Sequence, residues 1–162
     1  MTFSKKTAYE RSLAQLNNLL KSEDNWVTKA STINCVLKTN FPTYFWVGFY
    51  VVSAPEKLIV GPYQGTLGCL HIDFGKGVCG VAAQTGETQV VPDVHAFPGH
   101  IACDSASNSE IVVPVFDSQG QLVAVFDVDS VDLASFDKVD QVWLEKILGQ
   151  FFTTQPIQNL NY

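Results

Sequence analysis

The chain has 162 residues, of which 46% are hydrophobic and 16% charged, too apolar and too weakly charged for a disordered segment. That length points to one domain spanning 1–162, able to bury about 70% of the surface its unfolded form exposes without cross-links. Ten Lys+Arg against sixteen Asp+Glu give a formal charge of −6, which argues against nucleic-acid binding but leaves room for a small cationic or zwitterionic ligand.

Met1 to Lys6 lead into Thr7 to Arg11 rather than an apolar run, so no signal peptide is expected. The longest apolar stretch, Tyr44 to Val52, is about half the roughly 20 residues a membrane helix needs. The expected location is a reducing cytoplasm, where cysteines are more often free, metal-bound or catalytic than structural disulfides.

In chain order, Lys5 to Lys21 place Leu13, Leu16 and Leu20 at helical spacing, with Ala8 or Tyr9 one turn earlier. A second helix, capped by Asp24 or Ser22, aligns Trp26, Ala30, Ile33 and Leu37 on one face and ends at Pro42. Together these helices cover about 5–39. Tyr44 to Val52 is aromatic and β-branched and predicts a strand. A turn over Ser53 to Glu56 returns the chain through Lys57 to Val60, and Cys69 to Asp73 forms a further short strand. Gly75 to Gly80 open a short helix that Gly86 stops. Gln89 to Val91 is another short strand. Residues 92–110 form a long irregular loop, a type that is usually functional in a compact domain. Glu110 to Phe116 and Leu122 to Val128 are strands joined by Asp117 to Gly120. A last helix, about 136–152, carries Val139, Val142, Trp143, Ile147 and Phe151 at helical spacing. Helices flanking an antiparallel sheet make an α+β domain, with sheet and loops over about 44–130.

Four cysteines stand at 35, 69, 79 and 103, with no C-x-x-C pair. A structural zinc site is therefore poorly supported, although His71, His95 and His100 offer further ligands. Cys69, Cys79 and Cys103 are either small core hydrophobes or reactive thiols. Their positions beside loops and at element boundaries favour reactivity. Cys35 falls opposite the buried face of its helix and reads as a bystander.

Asp127 and Asp129 are two apart on a strand and share a face. Two acids on one face of an apolar strand are costly unless they are exposed, as at a strand end facing water, or paired. Trp46 and Tyr50 also share a strand face, as core or as pocket wall. The glycines of 75–80 lack the ending of a phosphate-binding loop, and serve a substrate carboxylate or simply start a helix.

Six blocks, Trp46 to Tyr50, Gly61 to Gly65, Gly75 to Gly80, Val91 to Val94, Phe97 to Asp104 and Ser107 to Val112, resemble the free methionine-(R)-sulfoxide reductases, stand-alone GAF-domain enzymes. The three-cysteine spacing matches theirs. The resemblance implies a GAF fold with a central antiparallel sheet of about six strands. It also implies that Cys103 is the nucleophile, Cys69 the resolving thiol and Cys79 a relay or substitute. Glu110, Asp127 and Asp129 become site carboxylates that bind the substrate ammonium and deliver a proton. Trp46 and Tyr50 line the pocket. The implied substrate is free methionine-(R)-sulfoxide, the implied reductant thioredoxin, and the implied assembly a homodimer, with no metal or organic cofactor. His100 receives no base role. The rival reading is a non-catalytic GAF sensor that binds a small molecule, since fold alone does not give function; a third is a structural dimerisation module.

Overall fold

The computed structural model describes residues 4–101, 103–154 and 156. The extreme ends of the expected 1–162 span, and Ala102 within one motif block, lie outside the described residues.

Helix α1 (Lys5–Leu19) starts at Ser4, whose hydroxyl accepts from the Thr7 N–H, and buries Ala8, Tyr9, Ser12 and Leu16. Helix α2 (Trp26–Asn40) is capped by Asn25, not by Asp24 or Ser22. The Asn25 side chain accepts from the Thr28 N–H at 2.9 Å, whereas Asp24 is turned back to the Lys21 N–H. The face predicted for α2 (Trp26, Ala30, Ile33 and Leu37) is buried throughout.

Strands β1 (Trp46–Ala54), β2 (Lys57–Gln64), β3 (His71–Asp73), β4 (Gln89–Val91), β5 (Ser109–Phe116) and β6 (Leu122–Ser130) form one sheet in the order β3-β2-β1-β6-β5-β4. Every pairing is antiparallel. Strand β2 runs four residues beyond the expected Val60, and Cys69 lies just before β3 rather than in it. The short helix α3 is Gly77–Thr85, closed by Gly86 in the left-handed conformation (φ 68°). A single 3-10 turn, Val94–Ala96, interrupts the long loop.

Helix α4 (Lys138–Phe152) begins with a capping box formed by Asp137 and Asp140. Its buried face is Asp140, Leu144, Ile147, Leu148, Phe151 and Phe152, while Val139 and Val142 are exposed. The expected face was rotated because a carboxylate occupies a core position. Asp140 is fully buried; its carboxylate oxygens accept from Tyr9 Oη at 2.9 Å and from Lys5 Nζ at 2.5 Å. Tyr9 Oη also lies 2.6 Å from Tyr44 Oη, so the network ties α1 and α4 to the start of β1.

The strand period of two divides the sheet into two faces. Val47, Phe49 and Val51 of β1, Ala124, Phe126 and Val128 of β6, and Ile111, Val113 and Val115 of β5 join residues of α1, α2 and α4 in the main core. Trp46, Tyr50, Val112 and Val125 point the other way, into a second cluster with Val78, Cys79, Ala82 and Ala83 of α3. The six-stranded α+β architecture is the one expected. Among the described residues no helix is long and apolar enough to cross a membrane.

Candidate active site

The second face carries the polar residues. In the β1–β6 ladder Trp46 is opposite Asp129 and Gly48 opposite Asp127; in the β5–β6 ladder Glu110 is opposite Asp129 and Val112 opposite Asp127. Three carboxylates and two aromatics therefore project from three adjacent strands into one cavity. Trp46, Tyr50, Cys79, Cys103, Glu110, Asp127 and Asp129 all line it. Cys69 is joined to Cys103 by a disulfide across 34 residues of sequence, at the mouth of the same cavity, and both are partly exposed. Cys35 is exposed and free, as expected for a bystander.

Gly48 makes the aromatic wall possible. A Cβ there would lie 2.3 Å from Tyr63 Cβ and 2.7 Å from the Trp46 ring, so only glycine lets the indole lie along the strand. The ring stacks on Tyr63 (5.1 Å between centroids) and on Tyr50 (5.7 Å). Its N–H donates to the Thr66 carbonyl at 3.0 Å. Helix α3 brings Cys79 over the carboxylates, with Sγ 3.9 Å from Glu110 Oε1. Gly80 permits this approach, since a Cβ there would meet the Asp73 carbonyl at 2.4 Å.

Burial dominates the electrostatics. Glu110 and Asp127 are 6% and 5% exposed, and desolvation, reinforced by the neighbouring acids, pushes both far above the usual carboxylate range. Asp129, at the cavity rim and partly exposed, is raised by burial to about 7, with Ser107 pulling it back. The Cys79 thiol is driven well above its ordinary value by burial and the three acids. The same causes raise Tyr50. At neutral pH the cluster therefore holds protons. Asp127 Oδ1 is buried and has no hydrogen-bond partner among the described residues.

Cys79, Glu110 and Asp127 have candidate ligand atoms within 4.8 Å of one another. A metal would have to displace the protons this environment favours, and the set has no second soft donor. The histidines do not join it as a group: His71 is exposed on β3, and His95 is hydrogen-bonded to Asn108 at 3.0 Å.

Several lining residues received no role from the sequence. His100 faces the cavity with both ring nitrogens buried and unpaired, and burial and His95 lower its pKa, so it is neutral. Ser107, Lys76, Leu67 and Ile101 complete the wall. The cavity also meets the N-terminus of α3, where Lys76 provides no side-chain cap.

Residues 38–151 match the family model of the GAF domain. The chain is 46% identical over 145 residues to "GAF domain-containing protein A" of Dictyostelium discoideum, covering 90% of each. It is 44% identical over 150 residues to the free methionine-R-sulfoxide reductase of Saccharomyces cerevisiae, covering 89% of this chain and 83% of that protein. The X-ray structure of the free methionine-R-sulfoxide reductase of Neisseria meningitidis, in complex with its substrate, superposes with a TM-score of 0.85 at 44% identity, over 94% of this chain and 93% of that one. On this family match, these identities and the shared fold, the chain belongs to the GAF domain family and, within it, to the free methionine-R-sulfoxide reductases.

Proposed function

We propose that the protein reduces free L-methionine-(R)-sulfoxide to L-methionine. The observation that carries this reading is the Cys69–Cys103 disulfide at the mouth of a cavity floored by protonated carboxyls.

The Cys103 thiolate attacks the sulfoxide sulfur while a carboxyl of the Glu110, Asp127, Asp129 cluster gives its proton to the oxygen. The hydroxyl then passes from the substrate sulfur to Cys103 Sγ as the substrate S–O bond and the transient Cys103–substrate S–S bond both break; methionine leaves with the electron pair of its sulfur, and Cys103 is left as a sulfenic acid. The Cys69 thiol attacks that sulfur; an S–S bond forms and water departs. A dithiol of the thioredoxin class returns the disulfide to two thiols by exchange. Cys79 stands by as an alternative resolving thiol. No metal or organic cofactor enters the scheme.

The remaining groups suit the rest of a free amino acid. The acidic cluster accepts the ammonium, and the unpaired Asp127 oxygen is an acceptor for it. The bare N-terminus of α3 presents backbone N–H groups to the carboxylate. Trp46 and Tyr50 give the S-methyl an apolar wall. The exposed Val139 and Val142 on α4 fit pairing of two copies through terminal helices, and the proposed setting is a reducing cytoplasm.

The test is methionine formation from each free sulfoxide diastereomer with dithiothreitol. Turnover of the R form is expected, and in a separate reaction without reductant the sulfoxide should remove two free thiols per molecule; no turnover of R sinks the reading and leaves a sensor that binds without reacting. Cys103→Ser should abolish the first turnover. Cys69→Ser should spare it and block recycling by thioredoxin.

A further inference from the structure

Two loops meet at the cavity mouth, one leading to Cys69 and the other bearing Cys103. Among the described residues one hydrogen bond joins them: Thr66 Oγ1 donates to Asp104 Oδ2 at 2.5 Å, across 38 residues of sequence. Each end of that bond is fixed from its own side. The Thr66 carbonyl accepts from the Trp46 indole at 3.0 Å. The preceding Gly65 has φ +143° and packs so close to that ring that a Cβ would lie 2.6 Å from it. On the other side, Asp104 Oδ1 accepts from the Ala106 N–H at 2.8 Å. Thr66 stands three residues before Cys69, and Asp104 immediately follows Cys103.

We propose that Thr66 and Asp104 are positioning residues for disulfide closure, holding the Cys69 loop against the Cys103 loop while both sulfurs are unbonded. The disulfide links the same two loops as this hydrogen bond, so each tie raises the effective concentration of the groups that form the other. In the catalytic cycle, the reading of function given above supplies the sulfenic acid on Cys103. The Cys69 thiolate then attacks that sulfur, the S–O bond breaks and the hydroxyl leaves as water with the thiol proton. The hydrogen bond changes no electron count. It shortens the search of one loop for the other, which matters because a sulfenic acid left waiting oxidises further. Thr66 does not line the cavity, so removing its hydroxyl leaves the substrate groups in place.

The test uses the full chain with Cys35→Ser, so that the exposed thiol forms no mixed disulfide. The fraction of Cys69–Cys103 disulfide is measured against the ratio of reduced to oxidised glutathione, without substrate. Thr66→Val should shift the midpoint about tenfold toward oxidising conditions, the scale of one charge-assisted hydrogen bond at a partly solvated site. Thr66→Ser should return it to the wild-type position. A Thr66→Val midpoint equal to wild type, or a Thr66→Ser midpoint as shifted as that of Val, overturns the proposal. In a second measurement, one equivalent of the R sulfoxide should give an undiminished methionine burst in Thr66→Val, with more Cys103 trapped by dimedone. A wild type that releases no methionine counts against the proposed function alone, because the glutathione midpoints are read without it.

Discussion

Glu110 on β5 and Asp129 on β6 stand directly opposite each other, with Asp127 two residues along on the same face. Like charges so placed repel, and burial makes the charged forms costlier still. Protonation relieves both; burial, with Asp104 nearby, raises Asp129 to about 7. The sign for stability follows. In the folded protein this acid holds its proton to higher pH than in the unfolded chain, so its contribution is full below about pH 4 and is lost as pH rises toward 7. Partial solvent contact at the rim trims the effect to about 2 kcal/mol. Thermal melts of the ligand-free protein should therefore show this group's share of stability falling between about pH 4 and 7. Asp129→Asn should flatten that slope and raise Tm at pH 7; a variant with an unchanged slope would place the proton elsewhere.

The same titration sets an activity limit. If Asp129 is the carboxyl that protonates the sulfoxide oxygen, the first chemical step needs that proton and slows as pH rises through about 7. Single-turnover methionine release, measured from pH 6 to 9, should fall on the alkaline side. A rate that climbs steadily to pH 9 would show that thiolate formation alone governs the step.

Cys79 is buried under the acids and its thiol is held protonated, whereas Cys35 is exposed. Iodoacetamide added to the native disulfide form should modify Cys35 within minutes and leave Cys79 untouched until urea unfolds the chain. Peptide mass mapping reads both. Rapid labelling of Cys79 would mean that the cavity opens far more than its packing indicates.

Gly48→Ala should cost about 1–3 kcal/mol, since the new methyl lands on Tyr63 and the Trp46 ring. Urea denaturation gives the stability loss. The displaced indole should also raise KM for the sulfoxide more than it lowers kcat; an unchanged KM would separate Trp46 from substrate binding.

Asp140→Ala should be more damaging, about 3 kcal/mol. It removes the acceptor of buried Tyr9, a partner of Lys5 and one half of the α4 capping box together. Lys5 is held above its ordinary pKa because its hydrogen bonds to Asp140 and Asp137 outweigh burial, so its ammonium remains charged at neutral pH. A urea midpoint close to wild type would refute the network's role.

Periodic features were legible in the sequence. The buried stripe of α2, the alternation of β1 and β6 and the left-handed stop at Gly86 follow from side-chain spacing and backbone sterics. Exceptions arose where a tertiary contact overrode a local rule. Strand β2 continues beyond the expected Val60 because Gly61 and Pro62 fall where the β1–β2 register shifts between the Gly48–Tyr63 and Tyr50–Val60 pairs, and the Pro62 carbonyl accepts from Asn34 at 2.7 Å. The stripe of α4 was misjudged because Asp140 is a core residue only with Lys5 and Tyr9 beside it. In the site, spacing gave Asp127 and Asp129 a shared strand face, while Glu110 and the cysteine roles came from the family resemblance. Thr66 gave no such sign, and Asp104, Ser107 and His100 stood in motif blocks without a role, since loop-to-loop contacts have no period to detect.

The sheet's alternation has a consequence for mutation. Phe126 and Val128 serve the main core, while Asp127 and Asp129, interleaved with them, serve the cavity. Deleting one residue within β6 would exchange the two sets beyond the deletion, delivering carboxylates among the helices and apolar side chains into the pocket. Folding and chemistry would then be lost in a single genetic event. Substitutions within either set can drift separately, but insertions and deletions in these strands should be purged.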